Sequence, residues 1–103
     1  MENWPDRLKL FAVLSTVKVL LETVSENDGW AFESSKESLK TINNAIAFFH
    51  NPQEEKYPED ITRQFGPTGP LQEISISNGW DKVYLKLAEE YDKYAHCLKE
   101  TNF

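Results

Sequence analysis

Leu10-Phe11-Ala12-Val13-Leu14-Ser15-Thr16-Val17-Lys18-Val19-Leu20-Leu21-Glu22-Thr23-Val24 is the stretch that decides the fold. Leu10, Val13 and Leu14, Val17, Leu20 and Leu21, and Val24 recur at steps of three and four residues. That period lays one continuous apolar face along an α-helix, not along a strand. Upstream, Trp4-Pro5-Asp6 places a proline in the first turn, where a helix has no donor to lose. Downstream, Glu26-Asn27-Asp28-Gly29 stops the run, with Asn27 or Gly29 able to take a left-handed cap. A first helix over residues 5–24 is expected. Ser15, Thr16 and Lys18 interrupt its apolar run, which is too short and too polar to span a bilayer.

The same reading extends to the rest of the chain. Ser34-Ser35-Lys36-Glu37 has the form of a capping box, and Leu39, Ile42, Ile46 and Phe49 come next at helical spacing up to Asn51-Pro52. A second helix over 35–50 is expected, with Trp30 and Phe32 available for a preliminary turn. Pro58-Glu59-Asp60 orders proline and acids as a helix start wants, and Ile61 and Phe65 suit a short helix ending at Gly66. Gly66-Pro67-Thr68-Gly69-Pro70 reads as a rigid corner turning Phe65 and Leu71 inward, its prolines fixing φ and its glycines admitting φ > 0.

Residues 71–77 are ambiguous. Ile74 and Ile76 alternate as in a strand, whereas Leu71 and Ile74 suit one helical turn. No second strand is evident to pair with it, so a turn of helix followed by extended chain is expected. Asn78-Gly79-Trp80-Asp81 reads as the cap of a last helix over 80–99, striped by Trp80, Val83, Tyr84, Leu87, Tyr91, Tyr94 and Leu98. The expectation is one all-α domain over residues 1–103, a compact bundle of three long amphipathic helices plus one or two short ones. Its expected core holds Leu14, Val17, Leu21, Ile42, Ile46, Phe49, Leu87 and Tyr91.

A length of 103 residues has room for one core, and 40% hydrophobic with 27% charged residues argues against intrinsic disorder. Cys97 is the only cysteine, which excludes an internal disulfide and a thiolate metal cluster and fits a reducing cytoplasm. Met1-Glu2-Asn3-Trp4-Pro5 has no basic stretch leading into an apolar run, so no secretory leader is expected.

The net charge of −6 is unevenly placed. Glu22, Glu26, Asp28, Glu33, Glu37, Glu54, Glu55, Glu59 and Asp60 face only Lys36, Lys40 and Lys56 across residues 22–60, while the flanking segments nearly balance. A nucleic-acid binder carries the opposite sign, and an anionic membrane surface is disfavoured for the same reason.

Residues able to do chemistry are few. His96 and Cys97 are adjacent, and neighbours on a helix point about 100° apart, so they cannot form a nucleophile–base pair. His50 closes the second helix, where a cation suits the dipole. No zinc or calcium ligand spacing is present, and Gly66–Gly69 lacks the lysine of a phosphate loop. Glu54, Glu55, Glu59 and Asp60 could crowd around a hard cation, as any acidic loop could. No catalytic residue, metal or cofactor is expected.

Large aromatics ringed by charge are the material of binding hot spots. Trp30 and Tyr57 each sit beside a loop in the acidic stretch, with core plugging as the alternative reading of either. The candidate partner-binding set is therefore Glu26, Asp28, Trp30, Glu33, Glu54, Glu55, Tyr57, Glu59 and Asp60. The polar edge of the last helix, with Lys86, Glu90, Lys93 and Asn102, is the next surface in rank.

Two resemblances bear on function. Phe65-Gly66-Pro67-Thr68-Gly69-Pro70-Leu71-Gln72-Glu73-Ile74 with Asn78-Gly79-Trp80 resembles segments of small helical bacterial proteins that bring no activity with them. In size, acidity and helical character the chain also resembles the immunity proteins of bacterial polymorphic-toxin and contact-dependent growth inhibition systems. That likeness implies a cytoplasmic protein that is no enzyme and inhibits a nuclease-like toxin by presenting carboxylates to its basic cleft. The competing expectations are an adaptor or regulatory domain with no toxin partner and, last, a small enzyme with a hidden pocket.

Overall fold

The computed structural model describes residues 4–26, 34–54, 57–58, 60–66 and 69–95. In order these form α1 (Trp4–Thr23), α2 (Ser35–His50), α3 (Ile61–Gln64), α4 (Pro70–Asn78) and α5 (Asp81–Tyr94), and no strand occurs among the described residues. The fold is all-α. α1 packs on α2 and α5, and α4 joins α5 to α2.

α1 buries Leu10, Val13, Leu14, Val17 and Leu21, as its period demands. Val24 departs from the expected stripe and is 46% exposed, because it lies one residue beyond the helix, where the period no longer aims it. α2 begins at the expected capping box: Glu37 N–H donates to Ser34 Oγ at 3.2 Å, and Ser34 N–H donates to Glu37 Oε1 at 3.5 Å. Its buried line is Ser38, Ile42, Ala45 and Phe48. The expected core residues Ile46 and Phe49 are only half-buried beside it. Small Ser38 and Ala45 are fully buried on the inner line, and of the adjacent Phe48 and Phe49 only one can face inward.

α1 and α2 run antiparallel. The Phe11 ring meets the Phe49 ring edge-on at 6.1 Å, while at the other end residues Leu21 to Glu26 line one groove with Ser34 to Lys36.

Between residues 70 and 78 the structure corrects the expected turn and extended chain: the whole segment is α4. Pro70 starts it, Asn78 Nδ2 donates to Ile74 O at 2.8 Å, and Leu71, Ile74 and Ser75 are buried. Ile76, whose alternation with Ile74 suggests a strand, is 52% exposed. Asn78-Gly79 closes α4 instead of capping α5. Gly79 takes φ 82°, its N–H donates to Ile76 O at 3.4 Å, and Trp80 N–H donates to Ser75 O at 2.9 Å. That pair of bonds is a Schellman closure, which favours glycine at the left-handed position. α5 then starts at Asp81 without a side-chain cap and ends at Tyr94. The expected extension to Lys99, with Leu98, His96 and Cys97, lies outside the described residues.

The corner before α4 also works differently from expectation. Gly69 has φ −78°, so it is not there for a left-handed backbone. It is there for space: a methyl group on it would overlap the Arg63 carbonyl oxygen and stand 2.9 Å from that of Gln64. The corner does turn Phe65 and Leu71 inward, at 7% and 0% exposure.

One polar link ties this half to the helical pair, and a second closes the half on itself. Trp80 Nε1 donates to Ser25 Oγ at 3.0 Å, and Ser25 Oγ donates to Leu20 O at 2.9 Å. Tyr84 Oη reaches Gly66 O at 3.4 Å, and burial pushes its pKa up to about 12. Tyr91 stacks flat on Phe65 at 4.2 Å. Leu87, expected in the core, is half-buried at the α1–α5 seam, and Val83 is 48% exposed.

Candidate functional site

α2 divides the acidic stretch. Its 16 residues span roughly 24 Å at 1.5 Å per residue, so the described residues just before it and just after it stand at opposite ends, or poles, of that helix. Glu26 is at the first pole, and Glu54, Tyr57 and Asp60 are at the second. Asp28, Trp30, Glu33, Glu55 and Glu59 lie outside the described residues. The acids are contiguous in sequence, but no single patch among the described residues gathers them.

At the first pole the carboxylates already have local work. Glu22 pairs with Lys18 at 2.9 Å, and Glu37 closes the α2 cap. Lys36 and Lys40 are exposed at the same end, and Glu26 is exposed beyond the last turn of α1.

The second pole is more structured. Arg63 clamps Asp60 with two bonds, Nε to Oδ1 at 2.6 Å and Nη2 to Oδ2 at 2.9 Å. The guanidinium holds this carboxyl below the usual carboxylate range. Its charge is thereby compensated, which leaves Glu54 as the more open acid of the two. Asn51 Nδ2 donates to Glu54 Oε2 at 2.9 Å and fixes that carboxylate over the turn after α2.

Tyr57 is half-buried. Its ring meets Phe48 at 5.4 Å and Phe49 at 6.1 Å, both edge-on, and its hydroxyl bonds that of Tyr91 at 2.8 Å. The residue therefore pins its loop to the core, and a partner would meet only its remaining edge.

Beside this loop lies a groove of about 280 Å³ between α1 and the end of α2, lined by Arg7, Leu8, Phe11, Phe49, His50 and Pro52. Leu8 is 53% exposed in its wall. The Phe11 ring stands edge-on to His50 at 5.5 Å, so the floor is a fixed aromatic corner. None of these residues belongs to the expected binding set. The signals are present in the sequence: Leu8 and Phe11, three apart, lie off the buried stripe of α1, and the Phe48-Phe49 doublet must turn one ring outward.

On the outer face of α5, Lys86, Glu90 and Lys93 are exposed, while Asn102 lies outside the described residues. Among the described residues no cluster of three or more His, Cys, Asp or Glu side chains could hold a metal ion. Among them, too, no helix is long and apolar enough to cross a membrane. No protein-family model, curated protein or solved structure matches this chain.

Proposed function

We propose that this chain is a protein-binding module of the immunity type, which neutralises a basic, nuclease-like toxin domain by covering its cleft. The observation that carries the reading is the second pole, where an aromatic groove adjoins the turn that holds the exposed Glu54 carboxylate. Apolar walls give a partner something to bury, and carboxylates beside them favour a basic one. In this reading the protein is cytoplasmic, has no catalytic residue or cofactor of its own, and engages neither nucleic acid nor membrane. The long helices α1 and α2 serve as the rigid frame that presents the pole. Glu54, Glu55, Glu59 and Asp60 steer encounter, with Asp60 contributing least because Arg63 already neutralises it.

Capture of the partner from the native host on the immobilised protein tests the proposal. The expected catch is a basic nuclease domain whose cleavage of nucleic acid stops when the two are mixed stoichiometrically. Neutralising the four acids together should slow association, and added salt should shrink that effect, since exposed charges are screened beyond about 8–10 Å. A partner that is not a nuclease, or a nuclease that keeps cutting in the complex, overturns the inhibitor reading in favour of an adaptor.

A further inference from the structure

We infer that Tyr91 is the positioning residue of the second pole: its hydroxyl latches Tyr57, and release of that latch loosens the turn carrying Glu54 while the helices stay folded. The inference deepens the reading above, and rests on it only for the use to which the ordered turn is put.

The chain that follows α2 is fixed unevenly. Its far side is built in: Ile61 N–H donates to Pro58 O at 3.3 Å, Ile61 and Gln64 of α3 are buried, and so is Phe65 behind them. Its near side lies on the surface, with Asn51, Pro52, Gln53 and Glu54 all exposed. There Glu54 N–H donates to Asn51 O at 3.2 Å and Asn51 Nδ2 donates to Glu54 Oε2 at 2.9 Å, two bonds that close the turn on itself. How the turn sits beyond the end of α2 depends on Tyr57, which carries the chain back to the core.

Tyr57 is placed from two directions. The rings of Phe48 and Phe49 meet it edge-on, a contact that tolerates a range of positions. Its hydroxyl bonds that of Tyr91 at 2.8 Å, and a hydrogen bond is far stricter in distance and angle. Tyr91 is itself fixed, buried on α5 with its ring flat on that of Phe65 at 4.2 Å and 4°. One side chain thus grips residues 57–65 at both ends, by its hydroxyl at Tyr57 and by its ring face at Phe65. Tyr91 lies in the last turn of α5, where Ala95 N–H donates to its carbonyl at 2.8 Å. The order of the turn after α2 is therefore governed from the end of α5. A turn already held in place has less freedom to lose when a partner engages it, so the latched state binds tighter through slower dissociation, with the charges that steer encounter unchanged.

Phenylalanine at either position keeps the ring and removes the hydroxyl. Trypsin cuts after Lys56, which precedes Tyr57 in the chain, and after Lys40, inside α2. Cleavage of a folded chain tracks the population of the opened form. Tyr57→Phe and Tyr91→Phe should each speed the cut after Lys56 about two- to tenfold, the range that one neutral hydrogen bond supplies, while the cut after Lys40 keeps its rate. The double variant should be no faster than either single one, because the two substitutions remove the same bond. Equal acceleration after Lys40 would make Tyr91 an ordinary core residue. An unchanged cut after Lys56, or effects that add in the double variant, would remove the latch. None of these measurements uses a partner, so the two readings fail separately. A latch found in a protein whose captured partner is no nuclease leaves this inference standing and removes the inhibitor, while a nuclease inhibitor whose Lys56 cut ignores both variants does the reverse.

Discussion

Along α1 and α2 the chain buries side chains at a period of three and four, and each inward position accepts a residue for its size and oiliness. Between residues 60 and 80 burial depends on backbone contact instead: Gly69 lies against the carbonyls of α3, Pro70 opens α4, and Gly79 ends it with φ 82°. The first region tolerates apolar replacements of similar volume along its stripe, apart from the small buried Ser38 and Ala45. The second depends on particular residues at particular atoms. The difference teaches that a fold of this size has two kinds of core position, one set by transfer from water and one set by room.

The largest effect separates two isoleucines that look alike in sequence. Ile42 is fully buried on the inner line of α2, whereas Ile46 is half-buried to its side. Ile42→Ala should cost about 2–5 kcal/mol through lost burial and the cavity left behind. Ile46→Ala should cost clearly less, because part of its side chain already meets water. Urea unfolding of both variants measures the gap, and equal costs would mean that the inner line of α2 runs through 46 and 49 after all.

Next comes the corner. Gly69→Ala should destabilise by about 3 kcal/mol, the upper end of what overpacking usually costs, because the obstructing atoms are backbone and cannot swing aside. Gly79→Ala meets nothing within 4 Å and bears only the left-handed backbone penalty, about 1–2 kcal/mol. Thermal melts of the two variants rank space against φ, and a costlier Gly79 variant would break the distinction.

The same distinction explains what can be read from the residues alone. α1 and α2 are legible because their period and capping box are local. α4 is misjudged because Ile74 and Ile76 alternate by coincidence, and only tertiary placement shows that one faces in and the other out. Gly69 is recognisable as a corner residue but for the wrong reason, since close approach to a carbonyl six residues back leaves no trace in composition. The candidate site divides in the same way. The acids are visible as a run, but their separation by the length of α2 is a property of the folded chain. The groove uses residues left over from two helical stripes, which a search for inward faces passes by.

The last comparison tests the joint between the two regions. Trp80 sits at 5% exposure, and its indole N–H donates to Ser25 Oγ, which in turn bonds the Leu20 carbonyl. This is the buried polar contact by which the α4–α5 half holds the end of α1. Ser25→Ala removes the acceptor and leaves a buried donor unsatisfied, which should cost about 1–3 kcal/mol. Ser25→Cys keeps a weak acceptor of similar size and should recover part of the loss. Trp80→Phe in the Ser25→Ala background supplies the control: with the donor gone, removing the acceptor should cost little beyond the packing change. Unfolding free energies of the single and double variants form a mutant cycle. A coupling near zero would show that this bond does not help to join the two regions, and that the serine is buried only because it is small.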